Sequence, residues 1–188
     1  MAKVIVIQFI TLDGVVEDPD GRGGTAFGGW AFRFGPEAIA GDKFRLGPTL
    51  DDGVLLFGRR TWEHFARLWP SRTDPFAAAM NRARKQVVSS SSLDLEAWSN
   101  SGRLDEPLLD GVAGMAADRD VVVIGSTSVV RELQAAGAVD EYRLLTFPIV
   151  IAQPRARRLF DAPERLQLVS VDMAGPAVLS VLARATGT

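Results

Sequence analysis

The chain has 188 residues, 47% hydrophobic and 23% charged, with a net charge of −2. This composition fits a soluble globular protein with one buried core, and it leaves no general field for nucleic acid or an anionic membrane. With no cysteine and one histidine, His64, disulfides, thiolate metal sites and cysteine nucleophiles are excluded, and no metal site is expected.

The N-terminus, MAKVIVIQF, enters a strand without the charged head, long apolar run and cleavage site of a secretory signal, and no apolar run is long enough to span a bilayer. A cytoplasmic protein is expected. Val4–Leu12 is apolar almost throughout, the pattern of a strand buried on both faces of a helix-covered parallel sheet. Asp13-Gly14 predicts a turn. Glu17–Phe34 is rich in Gly, Asp and aromatics without a period and reads as a long loop, a feature that is often functional. Pro36 is placed to open a short helix to about Leu46. Further strands are predicted at Gly53–Phe57, Lys85–Ser89, Asp120–Ile124 and Tyr142–Phe147. Helices are predicted at Arg60–Leu68, Pro75–Arg84, Pro107–Ala117 and Thr127–Ala136. Leu166–Asp172 and Ala177–Ala183 read as strands joined by Met-Ala-Gly-Pro in a hairpin. Alternating strands and helices followed by a hairpin predict an α/β fold. Its central sheet is mostly parallel, with helices on both faces and an antiparallel C-terminal edge, in one domain spanning 1–188.

Ligands of open α/β sheets sit beyond the carboxyl ends of the strands, at loops and helix N-termini. Three junctions carry suitable residues. At Phe57-Gly58-Arg59-Arg60-Thr61-Trp62, a buried strand meets glycine, two guanidiniums and a hydroxyl at a helix start. That set suits phosphate, and it equally fits a solvated turn. Val88-Ser89-Ser90-Ser91-Ser92 offers small hydroxyls or a plain loop. Ile124-Gly125-Ser126-Thr127-Ser128 repeats the strand–glycine–hydroxyl–helix pattern, with a helix cap by Ser126 or Thr127 as the alternative. Neither a G-x-G-x-x-G fingerprint nor a P-loop is present.

In order and spacing these segments resemble the dihydrofolate reductase superfamily. The nearer likeness is to the branch that contains the reductase domain of bifunctional riboflavin-biosynthesis deaminase-reductases. Thr11-Leu12-Asp13-Gly14 is similar to the branch's S-L-D-G. Gly58-Arg59-Arg60-Thr61-Trp62-Glu63 is similar to the superfamily's G-R-x-T-[WY]-E. Val88-Ser89-Ser90, Trp98-Ser99-Asn100-Ser101, Val123-Ile124-Gly125-Ser126, Asp140-Glu141-Tyr142 and Arg158-Leu159-Phe160 follow in the expected order.

The resemblance implies an NADPH-dependent oxidoreductase. Arg59, Arg60 and Thr61, next to Gly58, would hold phosphates, and Ser89 and Ser90 would flank the adenosine ribose and its 2′-phosphate. Asn100 or Ser101 would lie near the adenine. Gly125, Ser126, Thr127 and Ser128 would wrap the pyrophosphate. Backbone atoms of Phe9 and Ile10 would meet the nicotinamide amide, with Val16 against the ring. Two departures stand out. The superfamily often has two glycines where this chain has Gly125-Ser126, at a peptide that can be cis. A glycine-rich turn before R-L-F is replaced by Ala152-Gln153-Pro154-Arg155-Ala156-Arg157.

Two carboxylates are candidates for the acid. Asp42 lies sixteen residues before Gly58, the spacing that the superfamily's first long helix would give, and Asp13 borders the site in the riboflavin branch. Each also has a plain reading, as a solvated helix residue and a turn former. Phe27, Trp30, Phe32 and Phe34 either stack on a flat heterocycle or cover the core. Zinc deaminase elements are missing. The reading is an NADPH-dependent reductase of a small heterocyclic substrate, pterin-like or like a ribosylated pyrimidine. A non-catalytic nucleotide-binding module on the same fold is the alternative. The hairpin carries apolar residues on both faces in sequence, and the branch dimerises through this part of its sheet, so a homodimer is expected.

Overall fold

The computed structural model describes residues 2–185. The fold is α/β, and its eight strands hydrogen-bond in the order β4-β3-β2-β5-β1-β6-β8-β7, ending in an antiparallel hairpin. By contacts the chain forms two compact units. One comprises the chain up to Val6 with Arg45–Asp140, and the other Ile7–Phe44 with the chain from Glu141 onward.

The first unit opens with the start of β1 (Val4–Thr11), then α1 (Thr49–Asp52), β2 (Val54–Gly58), α2 (Arg59–Leu68) and α3 (Pro75–Arg82). It continues with β3 (Arg84–Val88), β4 (Ser101–Arg103), α4 (Leu108–Ala116), β5 (Val121–Ile124) and α5 (Thr127–Ala135). β2 pairs in parallel with β3 and β5, and β3 in parallel with β4. Every residue of β2 is buried, as are Val121, Val122 and Val123. Burial on both faces is why these strands read as unbroken apolar runs. α2 buries Trp62 and sets Phe65 edge-on to Phe57, and α5 buries Val129, Val130 and Leu133. α3 starts at Pro75 behind an Asp74 cap whose carboxylate accepts from the Ala77 amide at 3.0 Å.

β4 is absent from the sequence reading, because Ser-Gly-Arg carries no strand pattern. Tertiary contacts make it. Lys85 of β3 is 1% exposed, and its ammonium donates to the carbonyls of Asn81, Ala83 and Ser99 at 3.1, 2.6 and 2.9 Å. It lies 4.4 Å from the centre of the Trp98 ring. The ammonium thus ties the end of α3 to the turn that starts β4. Burial pulls its pKa down to about 8.

The predicted helix from Pro36 to Leu46 does not form. Pro36–Ala38 is one 3-10 turn, and turns follow. Gly41, Arg45 and Gly47 have φ of 71°, 52° and 43°, which an α-helix cannot contain.

The second unit contains β6 (Glu141–Phe147), β7 (Leu166–Ala174) and β8 (Ala177–Arg184), with β8 antiparallel to both others. Gly175, at φ 68°, leads the two-residue hairpin loop, as a II′ turn requires. Leu145, Phe147, Ala177 and Leu179 form one core with Trp30, and Phe27 and Phe34 pack against it. These loop aromatics therefore cover the core, while Phe32 is 51% exposed.

The opposite face of the hairpin is shaped by a bulge between Leu168 and Ser170. Leu168 pairs with Leu182, Val171 with Ser180 and Met173 with Val178, so these share one face. Ser170, Asp172 and Ala174 pair with Val181, Leu179 and Ala177 on the other face, which the core covers. The extra residue gathers onto one face the apolar side chains that simple alternation would split between two. Leu168, Val169, Val171 and Met173 are 53–72% exposed there.

Candidate functional site

In the first unit the residues expected at phosphate come together at the carboxyl ends of neighbouring strands. Gly58 closes β2 level with Val88 of β3, and the Gly58 amide donates to the Ser126 hydroxyl at 2.8 Å. Ser126 donates in turn to the Ile124 carbonyl at 3.1 Å, and its amide donates to the Thr61 hydroxyl at 3.2 Å. A Cβ on Gly125 would come 3.3 Å from Thr61 Cγ2, so the two loops lie in close contact. All peptide bonds among the described residues are trans. Two left-handed residues make this turn, Gly125 at φ 60° and Ser126 at φ 44°.

Neither helix start has a side-chain cap. Gly58 has no side chain to offer, and the hydroxyl of Ser126, at the cap position of α5, is used elsewhere. Capping by Ser126 is therefore replaced by a loop-to-loop tie. The first-turn amides of two helices stay available to an anion at one end of the sheet. Arg59 and Arg60 are exposed beside them, and Arg59 is only loosely paired with Glu63 at 4.0 Å. This donor set of uncapped amides, two guanidiniums and a glycine at close approach fits a dinucleotide's phosphates. The Ser89 hydroxyl donates to the Ser91 carbonyl at 2.9 Å and accepts from the Ser91 amide at 3.2 Å, which folds the loop on itself and leaves Ser90 exposed.

Asn100 and Ser101 do not join this group. Ser101 pairs with Lys85, so both lie where β3 and β4 begin, the end opposite Gly58 and Ser89. Their side chains are also engaged. The Asn100 amide group donates to the Asn81 and Arg82 carbonyls, and the Ser101 hydroxyl accepts from the Trp62 indole at 2.9 Å. The residues that leave β4 at the carboxyl end, beside Val87 of β3, are Arg103, Leu104 and Asp105.

In the second unit Asp13 is an acceptor with its oxygens in use. Thr11 donates to it at 2.6 Å, and the amides of Ile151 and Ala152 donate at 3.2 and 2.9 Å. Burial alone would raise its pKa, but the Thr11 hydroxyl and the Ala152 and Ile151 amides outweigh this and hold it below the usual carboxylate value. It steadies Ala152, a non-glycine residue at φ 55°, in the segment that replaces the expected glycine-rich turn. Arg158 donates to the Asp13 carbonyl at 3.1 Å, and Arg157 pairs with Glu17 at 2.7 Å. Asp42 lies among turns after the 3-10 segment, not on a helix. Phe9 stacks on Phe44, while Ile10 and Val16 are buried, each 6% exposed.

The glycine-rich loop has a centre that sequence reading missed. Asp18, 8% exposed at φ 53°, accepts from the Gly23 amide at 2.6 Å and from the Thr25 amide and hydroxyl at 2.9 and 2.8 Å. A Cβ on Gly23 would lie 2.9 Å from its Cγ, and one on Gly28 would collide with the carboxylate. The glycines are there to let the backbone close around one side chain.

A mostly parallel sheet with a C-terminal antiparallel hairpin, and an anion-suited end on β2 and β5, place the molecule in the dihydrofolate reductase-like class. A family model, the RibD C-terminal domain, matches residues 2–180, and the chain belongs to that family. No curated protein matches it in sequence. Among solved structures it is similar to a candidate riboflavin biosynthesis protein from Shewanella sp. PV-4. The TM-score is 0.72 with 16% identity, over 98% of this chain and 99% of that one. It is also similar to a pyrimidine reductase-like protein from Corynebacterium diphtheriae. There the TM-score is 0.62 with 13% identity, over 99% of this chain and 93% of that one. A third likeness is to RibD from Acinetobacter baumannii, with a TM-score of 0.61 and 16% identity over 98% of this chain. The match spans 59% of that longer protein. Among the described residues no helix is long and apolar enough to cross a membrane.

Proposed function

We propose that the protein is an NADPH-dependent reductase of a small heterocyclic compound, pyrimidine- or pterin-like. The observation that carries this reading is the pair of uncapped helix starts at Gly58 and Ser126, flanked by Arg59 and Arg60. The family and the names of its structural neighbours support the reductase assignment. Arg59, Arg60 and the first-turn amides of α2 and α5 would hold the phosphates, with Thr61 and Ser126 fixing the two loops against each other. When bound, the cofactor supplies a hydride, and the protein supplies position and charge.

Asp13 is a poor proton donor, since it is held ionised and its oxygens serve Thr11, Ile151 and Ala152. Asp42 is the remaining candidate for the acid. Titration of NADPH and NADH onto wild type and onto Arg59→Ala/Arg60→Ala tests the reading. The variant should lose about 1.5–3 kcal/mol of NADPH binding per charge-assisted phosphate contact, and much less of NADH binding. Equal losses for both cofactors would put the two arginines on the pyrophosphate that both carry, and would count against their reading the 2′-phosphate. The second reading, a nucleotide-binding module without catalysis, draws on Asp13 being engaged and Asp42 lying off any helix. Tight NADPH binding with no oxidation in the presence of any dihydropterin or pyrimidine riboside would favour it.

The partner proposed is a second copy of the chain. β7 is a terminal strand with Leu168, Val169, Val171 and Met173 exposed on one face, a liability unless another apolar surface covers them. Light scattering should give a dimer that Leu168→Asp/Val171→Asp dissociates. Val181 lies on the other, core-facing side with Ser170, and its substitution tests packing instead. A monomeric wild type at micromolar concentration would end the proposal.

A further inference from the structure

We draw no further inference here: the strongest candidate, the open cleft at the amino ends of β2, β3 and β5 lined by Asp51, Asp52, Arg84, Asp118, Arg119 and Asp120, is an acidic cluster with two arginines, and nothing in the structure points to a ligand for it.

Discussion

The two units use their polar side chains in opposite ways. At the carboxyl ends of the strands of the first unit, two helix starts are uncapped and Arg59, Arg60 and Arg103 are exposed. In the second, the carboxylates of Asp13, Glu17 and Asp18 accept from the unit's own amides and hydroxyls. The first keeps binding capacity free, and the second consumes it to hold loops that have no regular hydrogen bonding of their own. A charged residue in a glycine-rich loop is therefore no sign of a ligand until its partners are counted.

The strongest way to break this comparison is to remove a consumed carboxylate and find nothing lost. Asp18→Ala leaves the Gly23 amide and both Thr25 donors without their acceptor and should cost about 2–4 kcal/mol, read as a fall in melting temperature. An unchanged melting temperature would show that the loop does not depend on Asp18. Lys85→Met probes the exception, a consumed cation inside the first unit, and should cost about 2–3 kcal/mol at neutral pH by orphaning buried carbonyls. The folded pKa of Lys85, about 8, is below its ordinary 10.5. The unfolded chain thus keeps this proton longer, and wild type gains stability through the group between those values. The deficit of Lys85→Met should widen as pH rises through that window, and a deficit that shrinks would contradict the burial argument. The smallest effect is expected from Asp13→Asn, about 1 kcal/mol, since the group is partly solvated. The folded pKa of Asp13 is depressed, so its contribution is present above the unfolded value of 3.8 and lost as pH falls through the lower folded one. Acid unfolding curves of wild type and Asp13→Asn should converge there.

The parallel strands and their glycine-ended junctions were legible in the sequence because burial on both faces writes an unbroken apolar run. The C-terminal hairpin was legible from its Gly-Pro turn. What escaped was set by partners distant in sequence. β4 exists because Lys85 and β3 hold it, and its register puts Asn100 and Ser101 at the end of the sheet opposite Gly58 and Ser89. The one signal was a lysine beside Val87-Val88 in a strand, a residue rarely buried without a specific partner. The missing helix before β2 reflects Gly41, Arg45 and Gly47 at positive φ, of which the glycines alone were visible as breakers. Asp18 and the Val169 bulge left no local trace, since each takes its meaning from what it faces.

The bulge at Val169 also bears on how assembly can stop. A long, flat terminal strand invites a neighbour to add by backbone hydrogen bonds, and each addition presents a fresh edge, the geometry of a growing fibre. The extra residue breaks the pairing of β7 with β8 between Leu168 and Ser170, and a bulge bends a strand and adds local twist, so the rim of the sheet is interrupted partway along. Such a rim is a poor template for strand addition. The stickiness of β7 is turned to its face, where a symmetric mate can cover it once and leave nothing to propagate.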